Sequence, residues 1–485
     1  MSVQNTHAGA AAIAAALSGA KRLWFIGIGG IHMASLALFA ARRFSVAGSD
    51  TREGEGTARL REAGIPVTIG HNAAAACAAD AVIFTLAISP EDEEYLAAER
   101  AGVPRFSRAD FLGCLMADFP CRIGVAGSHG KSTVAAMLAE ILLFAGRSPT
   151  VFCGAPVRAL GSPFAAGTGR EVLFEACEYE DSFLCFTPTL AVLLNAEMDH
   201  VDYFADESAI ERSFAAFGAL PGAEGILLYS ADDAGAVRCA AGSPARRVSF
   251  GRSGDYRIAD VTLPGGYGAF SLCLPGGGAL ALSLRVPGAH NVQNAAAAAA
   301  AADLLGVPHP VISAALGAFR GAARRLEFRG VYFGARFYDD YAHHPTEIRA
   351  TLQAARALLG CGGRLYCVFQ PHTYSRTAAF FAEFCVALRL ADRVIVTDIY
   401  PARETDTLGM SGALLAAGVG DGAAYAGSFH AAAELLRQEL SPLDMVVVMG
   451  AGDINRLFAE FGERGFTSGA ESDKIEEVKK KGESV

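Results

Sequence analysis

Lysine is almost missing from this chain. Of 485 residues, 41 are lysine or arginine, yet from Arg22 to Asp473 every basic position but Lys131 is arginine. The net charge of −10 leaves no basic footprint for nucleic acid, and no RNA- or DNA-binding motif occurs. None of the 11 cysteines belongs to a C-x-x-C pair, so they read as buried free thiols of a reducing compartment. No apolar run is long and uninterrupted enough to span a bilayer. The stretch "AGAAAIAAALSGA" (8–20) lacks the preceding Lys or Arg of a secretory leader and reads as an alanine-rich helix. These absences point to a cytoplasmic protein without nucleic-acid or membrane partners. In such an acidic chain a phosphate site must be built locally, from backbone amides and a few placed cations.

What is present is a large globular α/β chain, 52% hydrophobic and too long for one domain. The first unit, 1–116, alternates strand "RLWFIGIGG", helix "IHMASLALFAARR" and strand "FSVAGSD", continuing through "AVIFTLAIS" and "VPRFSR". The second, 117–326, runs from strand "CRIGVAG" into helix "KSTVAAMLAEILLFAG" and strands "EVLFEA" and "LAVLLNAE". Its later part, 247–287, is broken by "PGG" and "PGGG" into an antiparallel stretch, and helix "HNVQNAAAAAAAADLLG" closes it. The third, 327–470, has strands "ARFYDDYA", "RLYCVFQ", "DRVIVTDI" and "DMVVVMG" with a helix over 345–359. A polar tail occupies 471–485.

Two glycine loops follow first strands. "GIGGIH" sets glycines before a helix, where a diphosphate approaches backbone N–H groups, and Asp50 ends the next strand where a dinucleotide fold keeps its ribose-binding acid. The third glycine of G-x-G-x-x-G is His32, so this loop alone also fits an ordinary tight turn. "GVAGSHGKST" (124–133) misses the standard G-x-x-x-x-G-K-[ST] count, because Val125 stands where the first glycine belongs. Lysine at 131 in an arginine-using chain nevertheless marks a phosphate cradle: a compact ammonium fits a ring of backbone amides where a planar guanidinium does not. Ser132 or Thr133 would offer a hydroxyl to Mg²⁺.

Glu175 and His200 end later strands of the second unit, and Arg324 and Arg325 stand at its junction with the third. Each also fits a solvated face when taken singly. In the third unit "YDDYAHHPTE" gathers Asp339, Asp340, His343, His344 and Glu347, and "QPHTYSR" gathers His372, Tyr374 and Arg376. Two such turns on neighbouring strands of a parallel sheet open to one edge. They match no zinc signature and suit a carboxylate substrate better.

In order and spacing, "GIGGIHM", "GSHGKST", "FEACEYEDSFL", "NAEMDHVDYF", "GAHNVQNA", "RRLEFRG", "DDYAHHPTEI", "QPHTYSR" and "MGAGDI" resemble the Mur ligases, above all the branch that adds L-alanine. The resemblance implies three domains: a Rossmann-like one for a UDP-sugar, a central P-loop ATPase-like one and a Rossmann-like C-terminal one that closes over both. It also accounts for the loop count, since the family loop is G-[TS]-x-G-K-[TS]. The implied reaction belongs to peptidoglycan precursor synthesis. The lactyl carboxylate of UDP-N-acetylmuramate takes the γ-phosphate of ATP, and the amine of L-alanine displaces phosphate from the acyl phosphate.

By the same resemblance, Gly127, Ser128, His129, Gly130, Lys131, Ser132 and Thr133 cradle the ATP phosphates with Arg325. His290, Asn291 and Asn294 take the adenine and Asp340 the ribose. Ser132, Glu175 and His200 hold Mg²⁺, while His344, His372 and Arg376 gather substrate carboxylates. Gly27, Gly29, Gly30, Ser49, Asp50 and His71 hold the UDP moiety. Lys131, Glu175, His200, Arg325 and His344 are the implied catalytic set, in a monomer or weak homodimer.

Three departures stand out. His32 replaces a loop glycine, Cys177 and Tyr179 replace polar residues after Glu175, and "VDYFADESAIERSF" has no lysine to carbamylate, as expected of the alanine-adding branch. Rival readings are a murein-tripeptide recycling ligase on the same UDP-sugar, an NAD-dependent oxidoreductase using "GIGGIH" and Asp50, and a non-catalytic nucleotide-binding relative. The Lys131 loop counts against the oxidoreductase, which has no need of a γ-phosphate site.

Overall fold

The computed structural model describes residues 3–462, so the expected polar tail lies outside the described residues. Three sheets follow one another along the chain. The first is wholly parallel, with spatial order Val67–Ile69, Ser45–Asp50, Arg22–Ile26, Ala81–Phe84 and Arg105–Ser107. Strand Arg22–Ile26 is buried at every position but its first, as a strand covered by helices on both faces must be. The strand order reverses beside it, which opens a crevice at the carboxyl ends of Arg22–Ile26 and Ala81–Phe84.

The central sheet has ten strands. Its parallel core places Cys121–Ala126 between Glu171–Glu175 and Leu190–Leu193, so the lysine-bearing loop leaves the middle of the sheet. Ile226–Ser230 and Arg246–Gly251 extend that core. Beyond them Tyr256–Thr262, Tyr267–Cys273 and Ala279–Pro287 form the expected antiparallel arm. The strands Thr150–Val157 and Ser162–Ala165 on the other edge carried no clear sequence alternation.

Helix His290–Leu304 packs against helix Lys131–Phe144. Its eight consecutive alanines, Ala295 to Ala302, are all 1% exposed or less. A helix that is apolar all round belongs inside, and a surface of methyl groups lets its neighbours approach closely.

The third sheet corrects one expectation. Its order is Glu327–Tyr332, Ala335–Asp340, Met445–Met449, Leu365–Phe369, Arg393–Thr397 and Ala423–Gly427. The strands that carry the two polar turns, Ala335–Asp340 and Leu365–Phe369, are not neighbours, because Met445–Met449 lies between them and pairs in parallel with both. All five residues of that inserted strand are buried, as are those of its neighbour Leu365–Phe369. The turns still open to one edge, now one strand further apart. The N-terminal helix is present but shorter than read, Ala10–Ala16. Among the described residues no helix is long and apolar enough to cross a membrane. All eleven cysteines are free thiols, but against expectation only Cys153, Cys239, Cys367 and Cys385 are buried.

Enlarging one alanine of the buried helix should be costly. Ala298→Leu overpacks a site that is 0% exposed, and a loss of about 1–3 kcal/mol is expected. Urea denaturation followed by circular dichroism reads this as an earlier midpoint with an unchanged slope.

Candidate functional site

The lysine loop is shaped by its glycines and pinned by its neighbours. Gly130 has φ +87°, and a Cβ there would meet Asn294 Oδ1 at 2.7 Å. The His129 N–H donates to Asn195 Oδ1 (2.8 Å) and the Ser128 hydroxyl to the Glu197 carbonyl (2.8 Å). Helix Lys131–Phe144 starts at once, so its free N–H groups and positive dipole end face the loop.

Lys131 does not point into solvent. Its ammonium donates to the carbonyls of Gly127 (2.5 Å) and Ser128 (3.2 Å) and forms a salt bridge with Glu178 at 2.9 Å. Burial alone would pull the ammonium pKa down, and Glu178 more than reverses that. Glu178, 0% exposed, is held below the usual carboxylate range because Lys131 and His200 outweigh its own desolvation. Glu175 behaves differently. It accepts from Gly154 N–H (2.5 Å) and Ser132 Oγ (3.0 Å), yet burial dominates and raises its pKa.

The expected metal set is therefore arranged in two halves. Ser132 and Glu175 are hydrogen-bonded, whereas His200 lies against Glu178, with Nε2 at 3.5 Å from the carboxylate. Ligand atoms of Glu178, Asp199 and His200 lie within 4.8 Å of one another. Sequence reading missed Glu178, although it stands three residues after Glu175 in the same motif. Tyr179, one of the departures, packs its ring 4.8 Å from that of His200 and donates to Asp202 at 2.9 Å. His200 (φ 50°), Glu180 (φ 51°) and Asp181 (φ 53°) all have left-handed backbone, so local strain concentrates here.

Residues of the third sheet's edge meet this centre. Arg325 Nη2 reaches Ser132 Oγ at 3.5 Å, and its Nη1 lies 3.8 Å from Glu347. Arg376 was expected at a substrate carboxylate, and in the structure it binds one of the protein's own. Its Nε and Nη2 donate to Asp199 Oδ1 at 2.9 and 2.6 Å, with both residues nearly out of water. Desolvation would raise the Asp199 pKa, and Arg376 holds it well below the usual range instead. Arg376 Nη1 also meets His372 Nδ1 at 3.1 Å. Burial, with the neighbouring His343 and Arg376, takes that imidazole down to about 3, so it is neutral and able to accept. His344 is the N-cap of helix Pro345–Leu359, accepting at Nδ1 from Thr346 N–H, while its Nε2 is buried without a partner. Its ring lies 4.6 Å from that of His129, whose nitrogens stand 3.3 Å from Glu197 on one side and Glu347 on the other. Against its own desolvation those carboxylates lift His129 to about 10.

Two cavities flank this constellation. One is lined by His129, Gly130, Thr133, His290, Asn291, Asn294, Arg325 and Asp340. Asn294 donates to Asn291 (3.0 Å), which donates to the Pro287 carbonyl (2.7 Å). Asp340 accepts from the N–H groups of Leu326 (2.7 Å) and Ala342 (2.8 Å), and burial lifts it to about 6. The other is the crevice of the first sheet, lined by Gly27, Gly29, Gly30, Ser49, Asp50 and His71 among others. Asp50 accepts from Gly29 N–H at 2.8 Å and the Ser49 hydroxyl donates to Glu94 at 2.5 Å. His32 stands exposed in the first turn of helix Ile31–Ala40.

Comparison with known proteins gives a consistent result. Three family models cover the chain in order: "Mur ligase family, catalytic domain" matches residues 22–120, "Mur ligase middle domain" 125–302, and "Mur ligase, glutamate ligase domain" 324–452. A UDP-N-acetylmuramate–L-alanine ligase of Caldicellulosiruptor bescii is 41% identical over 90% of this chain and 97% of its own length. One from Paenarthrobacter aurescens is 41% identical over 91% and 96%. Among solved structures, the Thermotoga maritima UDP-N-acetylmuramate–alanine ligase superposes with a TM-score of 0.77 at 29% identity, covering 91% of this chain and 98% of that one. A murein peptide ligase of Psychrobacter arcticus gives 0.70 at 25% identity, covering 91% and 99%.

Removing the counter-charge of Lys131 tests the pairing. Glu178→Ala strands a mostly buried ammonium and is expected to cost roughly 3 kcal/mol, seen as a lowered melting temperature. A saturating nucleoside triphosphate should restore more stability to this variant than to the parent, since its phosphates replace the lost carboxylate.

Proposed function

The chain belongs to the Mur ligase family, and on that footing we propose that it joins L-alanine to the lactyl carboxylate of UDP-N-acetylmuramate at the expense of ATP. The observation that carries the reading is the contact of Arg325 with Ser132 (3.5 Å). It brings a cation from the junction of the second and third units onto the first turn after the lysine loop, where a γ-phosphate is handed over. In-line transfer between two anions needs charge neutralisation and positioning above all. Lys131 and Arg325 supply fixed positive charge for the β- and γ-phosphates, and the loop N–H groups supply aligned donors.

In this reading ATP lies in the cavity lined by His290, Asn291, Asn294 and Asp340, with its phosphates toward Gly127–Thr133. Mg²⁺ fits the donors at the far side. Ser132 and Glu175 offer oxygen, His200 offers nitrogen, and Glu178 beside His200 adds the oxygen that a hard cation prefers. When bound, the ion neutralises charge on the phosphate oxygens. Lys131 would exchange Glu178 for the arriving phosphates, and the released carboxylate would be available as a further oxygen donor. The UDP moiety occupies the glycine crevice and directs its lactyl carboxylate toward the transfer centre. Transfer breaks the bond between the γ-phosphorus and the β–γ bridging oxygen, so ADP leaves and the lactyl carboxylate becomes an acyl phosphate. The neutral amine of L-alanine attacks its carbonyl carbon, the C–N bond forms, phosphate leaves with the C–O bond electrons, and the nitrogen gives up a proton to the departing phosphate. His344, His372 and the outer edge of Arg376 gather the carboxylates, with Asp199 fixing the inner edge of Arg376. The reaction takes place in the cytoplasm, with the enzyme a monomer or weak homodimer.

Phosphate release with ATP, Mg²⁺ and UDP-N-acetylmuramate tests the reading, in parallel with L-alanine, glycine, L-serine and the muropeptide tripeptide. Release that needs both the UDP-sugar and L-alanine supports it. Release with the tripeptide alone moves the chain to the recycling ligases, and silence in every arm overturns catalysis. Lys131→Ala should lower kcat by about a thousandfold while UDP binding, measured by calorimetry, is retained.

Asp340 should give ATP affinity a pH dependence. Its carboxyl, raised to about 6, is neutral below that pH and loses its anionic acceptor for the ribose hydroxyls. KM for ATP is therefore expected to rise as pH falls through about 6. Asp340→Asn should show weaker ATP binding at pH above that step and no step in KM.

A further inference from the structure

The crevice of the first sheet has an electrostatic problem. Six carboxylates line it, Asp50, Glu53, Glu91, Asp92, Glu93 and Glu94, and a nucleoside diphosphate brings further negative charge. Among the lining residues the arginines are Arg52, beside the glycine loop, and Arg403, which comes from the third unit on the opposite wall. Arg403 is exposed and, among the described residues, ion-paired with no carboxylate. Its one hydrogen bond there goes from Nη1 to the carbonyl of Leu86 at 3.4 Å, across to the loop after strand Ala81–Phe84. Its charge is also felt at Tyr179, beside His200.

The segment carrying Arg403 is tied down. Tyr400 N–H donates to the Pro371 carbonyl (2.8 Å), and Thr373 N–H donates to the Tyr400 carbonyl (2.9 Å). Ser375 donates to Glu404 through its N–H (2.9 Å) and through its hydroxyl (2.5 Å). Arg403 thus moves as one piece with the turn that carries His372 and Arg376. A free guanidinium on such a mount, facing an acidic crevice, suits a diphosphate far better than a neutral or cationic ligand, because its planar fork takes two phosphate oxygens at once.

We propose that Arg403 is a substrate-binding residue that clamps the diphosphate of the UDP-sugar from the third unit, and so links occupancy of the nucleotide crevice to placement of the His372–Arg376 turn. This rests on the crevice being the UDP site. The one tryptophan of the chain, Trp24, reports on that crevice, since its indole donates to Glu94 at 3.2 Å and Glu94 lines the wall.

Titration of the full chain with UDP and with UMP, followed by Trp24 emission, separates the outcomes. In Arg403→Ala, UDP affinity is expected to fall about tenfold, the equivalent of one charge-assisted contact, while UMP affinity stays. KM for UDP-N-acetylmuramate should rise by the same factor with KM for ATP unchanged, and Arg403→Lys should recover part of both losses. A parent protein whose Trp24 emission ignores UDP overturns the crevice assignment and the clamp with it. A parent that responds, with an alanine variant that binds UDP equally well, overturns the clamp alone.

Discussion

One buried ion pair fixes the geometry on which everything at the candidate site depends. Asp199 Oδ1 receives two donors from Arg376 and the N–H of His200 at 2.7 Å. Both side chains have given up water, so each charge is tolerable only while the other is in place. The pair joins a turn of the third sheet to the irregular segment that follows the central strand Leu190–Leu193. Asp199 also accepts the N–H of His200, whose backbone is left-handed, a conformation uncommon outside glycine. Through the pair, the position of the third unit and the direction of the His200 ring become one variable.

The same economy of matched charge runs through the phosphate loop. His129 is balanced by Glu197 and Glu347, and Lys131 by Glu178. An acidic protein that must receive a polyanion keeps its few cations neutralised by its own carboxylates. Binding is then an exchange of partners rather than a release of stored repulsion. Coulomb attraction at such distances is strong only because water is largely excluded, and the buried alanine helix and inner strands provide that exclusion.

Much of this was legible in the sequence. The two glycine loops, the strands before them and the helix after Lys131 stand where the residue pattern put them, because local backbone requirements are written in local residue types. The residues expected at the two cavities came from family resemblance, and the structure places them along the cavity walls. Glu178 was not legible. It immediately precedes an irregular 3-10 segment with left-handed residues, where no periodicity says which way a side chain faces. His200 was expected to end a strand, but that strand stops at Leu193, and nothing local marks the partner of Asp199, which lies 177 residues away. Strand insertion hid the spacing of the polar turns for a related reason. Met445–Met449 is uniformly apolar, and an apolar run states that a strand is interior without naming its neighbours.

The alanine helix has a thermodynamic side. Alanine has no side-chain rotamers to lose, so ordering that surface carries almost no side-chain entropy cost, and once packed it has no rotamers through which to fluctuate. The first two turns of the helix carry His290, Asn291 and Asn294 at the cavity rim. Those polar groups are therefore mounted on a stiff support, and the shape they give the cavity is set by backbone placement more than by side-chain adjustment.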